Sequence, residues 1–409
     1  MNNHFFRRFF TYRFGLIMAL NMQTTIISYM LYQITHDELS LGILGLAEVI
    51  PAIGVSFFSG HFVDNKEKRN LLKNILFGYL LLTAFFILVA TKQFQVANSI
   101  STLSLCIYFG VFVGGALRAF LSPASFALLG MIVPREHYTN ATTWSSTAWQ
   151  LGAVLGPLAG GAMIAVSGYQ FSLMSVLVLE IVAFAAVLLI PRQTVQPKEK
   201  EPFFSSLKKG IQFVFNTKII LAALALDMFA VLFGGAVALL PVYATDILKV
   251  GEVGFGFLRA APGIGSIIML VLLAFYPLKV KPGIKMLVSI ALFGMVTIIF
   301  GVSTNFYLSF LMLLLGGLFD AVSVVIRGTI LQLNTPEDMR GRVAAVNTMF
   351  ISSSNELGAL ESGVTAKWMG TKTAVVFGGM MTLVVVLITY LKTPVLKTLQ
   401  LDATSKDKT

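Results

Sequence analysis

The sequence predicts an all-α membrane protein of twelve transmembrane helices in two pseudo-symmetric six-helix bundles. Three observations predict it: the length of the apolar runs, the side on which basic residues fall, and a weak internal repeat. The chain is 56% hydrophobic and 12% charged, with 34 Phe, and its mean hydropathy is +0.82. A soluble domain carries roughly a quarter of its residues charged, so this composition excludes one. The runs 16–34, 41–63, 71–90, 171–190 and 374–391 each approach the ~20 residues that cross ~30 Å of hydrocarbon. They lack the period-two alternation of barrel strands, and backbone in lipid must pair within itself, so they are helices.

Taken in order, spans are expected at 11–35, 41–63, 71–91, 101–131, 138–166, 171–190, 216–245, 252–276, 283–303, 306–332, 340–368 and 372–392. The start, "MNNHFFRRFF", resembles a signal peptide. The apolar run behind it is too long for one and no small-residue cleavage site follows, so an uncleaved first span is expected. The polar, Pro-containing stretch at 191–215 divides the chain into an N-terminal bundle, 1–190, and a C-terminal bundle with a short tail, 216–409. Threading puts both termini on one side, which receives 23 of the 30 Lys and Arg. The positive-inside rule makes that side the cytoplasm. The net charge of +11 is therefore a topology signal, and no nucleic-acid partner is expected.

Across the halves, Gly45, Pro51, Ile53 and Gly54 align with Gly256, Pro262, Ile264 and Gly265 at a constant offset, and Tyr32 with Tyr243. A weak repeat between corresponding spans is expected of a secondary transporter built by duplication. Enzyme chemistry is not expected. The one cysteine, Cys106, lies in an apolar run, and His4, His36, His61 and His137 are scattered without catalytic or metal-ligand spacing. No metal or cofactor is expected.

Two motifs stand out. "GHFVDNKEKR" (60–69) concentrates charge in the short turn between spans two and three. It is either a solvated turn or a gate, in which Asp64 meets a cation or the positive end of another helix. "GAVLGPLAGG" (152–161) puts Gly152, Gly156 and Gly160 on one face, the small-xxx-small pattern of close helix packing. Pro157 removes one backbone hydrogen bond and bends the span.

The pattern Gly60-x-x-x-Asp64-x-x-x-Lys68-Arg69 resembles the loop signature of the major facilitator superfamily, and Gly152, Gly156, Pro157, Gly160 and Gly161 match its antiporter signature. Two stretches, 117–152 and 319–363, resemble the branch containing enterobactin exporters and macrolide-efflux proteins. Arg118, Pro134-Arg135-Glu136 and Asn140 carry the first; Asp320, Arg327, Arg340-Gly341-Arg342 and Glu361-Ser362-Gly363 carry the second. One position departs: Asn65 stands where the superfamily has Arg after the loop Asp. The resemblance implies the major facilitator fold and proton-coupled export of a siderophore, macrolide or other amphipathic compound across a bacterial cytoplasmic membrane. It implies a monomer that needs only substrate, protons and the bilayer as partners. Uptake or facilitated transport on the same fold is the alternative; a non-transporting sensor or assembly partner is a third reading.

Ionisable groups within spans cost at least ~2.5–3.5 kcal/mol to insert, which makes each a candidate site. Asp227, about 13 Å into span seven by helical rise, Asp320 and Glu356 are the proton-coupling candidates. The resemblance places spans 1, 4, 7 and 10 around a central cavity, so Asn21, Thr24, Ser28, Arg118, Asp227 and Asp320 are candidates to line it. Gly60, Asp64, Lys68, Arg69, Arg327, Arg340 and Arg342 are candidates for a cytoplasmic gate. Glu48 and Arg259 are expected to pair across the periplasmic side.

Overall fold

A computed structural model describes residues 4–192, 203–276, 281–336 and 339–397, apart from a few side chains that include those of 56–61, 64, 65 and 135. The first four spans are α1 (His4–Thr35), α2 (Glu38–Asn65), α3 (Lys68–Val89) and α4 (Ile100–Ile132). Next comes Tyr138–Leu188, 51 residues long. Drawn straight it would measure ~75 Å, more than twice the hydrocarbon thickness. Gly168, at φ 71°, breaks it, as only a residue without Cβ does readily. The two parts are α5 (138–167) and α6 (169–188).

The seventh span, α7 (Lys218–Phe233), stops at Gly234 and continues as the 3₁₀ turn Ala236–Leu239, Leu240–Val242 and a π turn, Tyr243–Ile247. The remaining spans are α8 (Gly251–Phe275), α9 (Pro282–Val302), α10 (Phe306–Asn334), α11 (Arg340–Met369) and α12 (Thr371–Lys392). Ten stretches among the described residues are long and apolar enough to cross a membrane, and one of them, Asn140–Leu188, contains both α5 and α6. The more polar α11 completes twelve.

These helices form two compact units. The first joins Met1–Lys200 to Leu240–Ala260, and the second joins Glu201–Leu239 to Ala261–Thr409. In the first unit α1 lies along α5 and α6, and α2 lies along α4. The glycine stripe of α5 sets the first of these distances. A Cβ on Gly152 would stand 2.8 Å from Ile17 Cγ2 and 2.9 Å from the Met18 amide nitrogen, and one on Gly156 would stand 2.7 Å from Asn21 Cβ. Helices approach this closely in lipid where side chains vanish.

In the second unit α9 packs on α10 and α12, while α11 and α12 pack on α7. Gly317 faces the Pro262 carbonyl and Gly265 faces that of Leu314, each with no room for a Cβ. The stretch assigned to the linker holds a 14-residue helix, Phe203–Asn216, seated against α11 and α7.

Candidate functional site

The second unit buries an ion pair. Asp320, Ser323 and Arg327 follow one another along α10 at i, i+3 and i+7, which places them on one face. Arg327 forms an ion pair with Asp227 of α7, and both side chains are only 6% exposed. Ser323 Oγ donates to Asp227 Oδ1 at 3.0 Å. The carboxylate therefore meets a cation and a hydroxyl, and each charge offsets the insertion cost of the other. Asp320 is half-buried, and among the described residues its carboxylate has no hydrogen bond or ion pair. Arg327, assigned from sequence to a cytoplasmic gate, is thus the buried partner of Asp227. Nothing in the spacing of either residue indicated that pairing, because it depends on which faces of α7 and α10 meet.

The first unit holds a second pair. Glu48 of α2, expected opposite Arg259, forms an ion pair with Arg118 of α4, with side chains 21% and 61% exposed. Gly115, one turn before Arg118, leaves no room for a Cβ against the Glu48 carbonyl, so the two helices touch there. Arg259 is half-buried in α8.

At the end of α1 opposite the N-terminus, residues of Leu240–Ala260 are latched to α1 within the first unit. The Tyr32 hydroxyl donates to the Asp246 carboxylate, and Gln33 Nε2 donates to Thr245 Oγ1 at 3.1 Å. The rings of Tyr29 and Phe255 stack with centroids 5.1 Å apart. The last glycine of the antiporter signature belongs to this latch. Gly161 meets Gly256 backbone to backbone: a Cβ on Gly161 would stand 2.8 Å from Gly256 Cα, and one on Gly256 would stand 2.8 Å from the Pro157 carbonyl. Gly160 faces α1, where a Cβ would come within 3.3 Å of the Met22 carbonyl. The signature therefore serves two helices at once.

In the decapeptide, the backbone of Gly60 and Asp64 belongs to the last turns of α2, and the Asp64 side chain lies outside the described residues. Of the other charges, Lys66 stands over the Phe62 ring, 5.6 Å from its centroid, and Glu67, Lys68 and Arg69 bind helix ends. Lys68, buried, donates from Nζ to the Val63 carbonyl at 2.6 Å and to that of Lys66 at 2.9 Å. Glu67 caps α3 through the amides of Arg69 and Asn70. Arg69 Nη2 donates to the Leu188 carbonyl at 2.6 Å, and Arg8 donates to that of Leu189. Cations at helix C-termini and an anion at an N-terminus are the arrangement the helix dipole favours.

Of the polar residues of α1, the three expected to line the cavity bond to their own helix. Asn21 Nδ2 donates to the Ile17 carbonyl, Thr24 Oγ1 to that of Leu20 and Ser28 Oγ to that of Thr25. Asn21 also packs on Gly156. Arg340 and Arg342 open α11, with Arg342 Nη1 3.1 Å from Met339 Sδ. Glu356 is half-buried farther along α11.

Residues 2–408 match the family described as transmembrane secretion effector. The enterobactin exporter EntS of Escherichia coli O1:K1 / APEC is 25% identical over 355 residues, covering 87% of this chain and 83% of that protein. Among solved structures, the POT family transporter PepTSo superposes with a TM-score of 0.73 at 11% identity, covering 96% of this chain and 98% of that one. A bacterial homologue of the human lysosomal transporter Spinster, inward-facing and unoccupied, gives 0.70 at 14% identity, covering 96% and 97%. Such identities establish the fold alone. The match to the family model spans almost the whole chain, and on it this chain belongs to the transmembrane secretion effector family, with the major facilitator fold.

Proposed function

We propose that this chain is a proton-coupled exporter that carries a small or medium-sized organic compound out of the cytoplasm by alternating access. The observation that carries the reading is the Asp227–Arg327–Ser323 cluster with Asp320 on the same face of α10. The paired carboxylate is committed to its arginine. Asp320, with no hydrogen bond or ion pair among the described residues, is the group that takes up and releases the proton. Each protonation changes the charge beside a fixed ion pair. A bound proton drives a conformational change only through different affinities for the two states, and a titrating acid beside a fixed ion pair supports the reading that such a difference exists.

The contacts of Tyr32, Gly161 and Asp246 then act as the periplasmic latch, with both termini in the cytoplasm of a bacterial cell. The protein works as a monomer without a cofactor, powered by the proton gradient. The relative's name, enterobactin exporter, supports export and the siderophore class of substrate. Macrolides and other amphipathic compounds fit the same chemistry.

The test is transport in proteoliposomes under an imposed pH gradient, measured in both orientations. The wild type is expected to move substrate toward the periplasmic face faster with the gradient than without it. Asp320→Asn is expected to retain exchange at equal pH and to lose the acceleration. Equal acceleration in wild type and variant would remove Asp320 from the coupling step. Uptake in the native orientation would reverse the direction proposed.

A further inference from the structure

A cavity of about 380 Å³ opens between α1 and α5 in the first unit, lined by Arg13, Ser145, Ser146, Trp149 and Gln150. Two contacts bracket it along the helices. On one side Phe10 meets Trp144 edge to face at 5.8 Å, and on the other Gly152 lets Ile17 against the backbone. The lining is polar where the neighbouring contacts are apolar.

Among the described residues, the polar groups of this lining lack hydrogen-bond partners. Arg13 Nε is buried with no hydrogen-bond acceptor, and among the described residues no carboxylate pairs with the guanidinium. Thr142 and Thr147 on the same helix donate to carbonyls one turn back, as hydroxyls in helices commonly do. Ser145, Ser146 and Gln150 make no such bond among the described residues. Trp149, 45% exposed, offers an indole face with no ring packed on it there. One cation, two hydroxyls, one amide and one free aromatic face thus converge on a single space. Its volume lies within the ~300–1,000 Å³ of small-molecule pockets.

We infer that this cavity is a binding subsite for an organic anion carrying a planar ring. The guanidinium fork matches a carboxylate, phosphate or phenolate. The indole takes the ring by stacking, and the serines and Gln150 complete the hydrogen bonding. The inference rests on the transport reading by naming the substrate class, but its test measures binding alone.

The full-length protein in phosphatidylcholine nanodiscs is titrated with three aromatic probes of matched size: 1-naphthoate, 1-naphthalenemethanol and 1-naphthylmethylammonium. Naphthoate is expected to bind at least about tenfold more tightly than the other two, the scale of a hydrogen bond to a charged group. Arg13→Gln is expected to erase the preference, and Trp149→Ala to weaken naphthoate and naphthalenemethanol alike. Gln150→Glu places a second charge in the cavity without touching Arg13. It is expected to abolish naphthoate binding and favour the cation, so the inference stays testable if Arg13→Gln does not fold.

Equal binding of the three probes, or a preference that survives Arg13→Gln, would overturn the subsite. Loss of naphthoate binding when phosphatidylglycerol is included would also overturn it and assign the cavity to a lipid headgroup. Anion-selective binding without gradient-driven transport would keep the subsite and defeat the transport reading. Transport without charge preference in binding would do the reverse.

Discussion

Helices α4 and α10 hold equivalent places in the two halves of the fold, and each carries one arginine paired with an acid on another helix. The pairs differ in surroundings. Arg118 and Glu48 are 61% and 21% exposed, while Arg327 and Asp227 are both 6% exposed. Where such exposure is to water, two charges gain little from meeting, because solvent screens each one well without the other. In a buried environment neither charge is tolerable alone, so the pair behaves as a single unit. The same two residue types therefore make an adjustable contact in one unit and an obligatory one in the other. Among the described residues, the obligatory contact alone has an acid without a hydrogen bond or ion pair, Asp320, on the same helix face.

The largest expected effect breaks the buried pair. Asp227→Ala or Arg327→Ala leaves one charge uncompensated and should cost about 3–5 kcal/mol, read as a lower midpoint of thermal unfolding in detergent. Replacing both by apolar residues of similar size, Asp227→Leu with Arg327→Met, should restore most of that stability but not gradient-driven transport. A double variant as unstable as the singles would mean that the two residues are not one unit.

Ser323→Ala comes next. It removes a hydrogen bond to a charged, buried acceptor, worth about 1.5–3 kcal/mol, and should lower the unfolding midpoint without abolishing folding. An unchanged midpoint would show that the arginine alone satisfies Asp227. The smallest effect belongs to the exposed pair. Glu48→Gln should change stability by at most about 1 kcal/mol, and added salt should shrink that difference further. A loss comparable to that of Asp227→Ala would place the Glu48 pair in a far less polar setting than its exposure indicates.

The helices were legible because lipid leaves the backbone few options. Apolar length located the spans other than the more polar α11, and the Ser-Gly-Tyr step between spans five and six coincides with the turn at Gly168. The helix Phe203–Asn216 was less legible, because its Lys208, Lys209 and serines make the stretch read as a polar connection. The break of α7 was written as Gly234–Gly235, yet two glycines in a membrane helix signal close packing as readily as interruption. The antiporter signature was legible as a packing motif, though the sequence did not show that Gly160 and Gly161 face different helices. The charged residues were legible as a set, since each is costly in lipid. Their partners were not, because pairing is decided by helix rotation. Tyr32 drew notice only through the repeat, and no local pattern pointed from it to Asp246.

Two of the three places where the chain passes between units, Leu239 to Leu240 and Ala260 to Ala261, fall outside the polar connection, within spans seven and eight. The two halves divided at the polar connection are therefore not interchangeable modules. A fragment ending at Lys200 would lack Asp246, Glu252 and Gly256, and so the surfaces on which Tyr32 and Gly161 close. A chimera that takes its first half from a relative must inherit residues 240–260 from the same parent, or carry an interface assembled from two lineages.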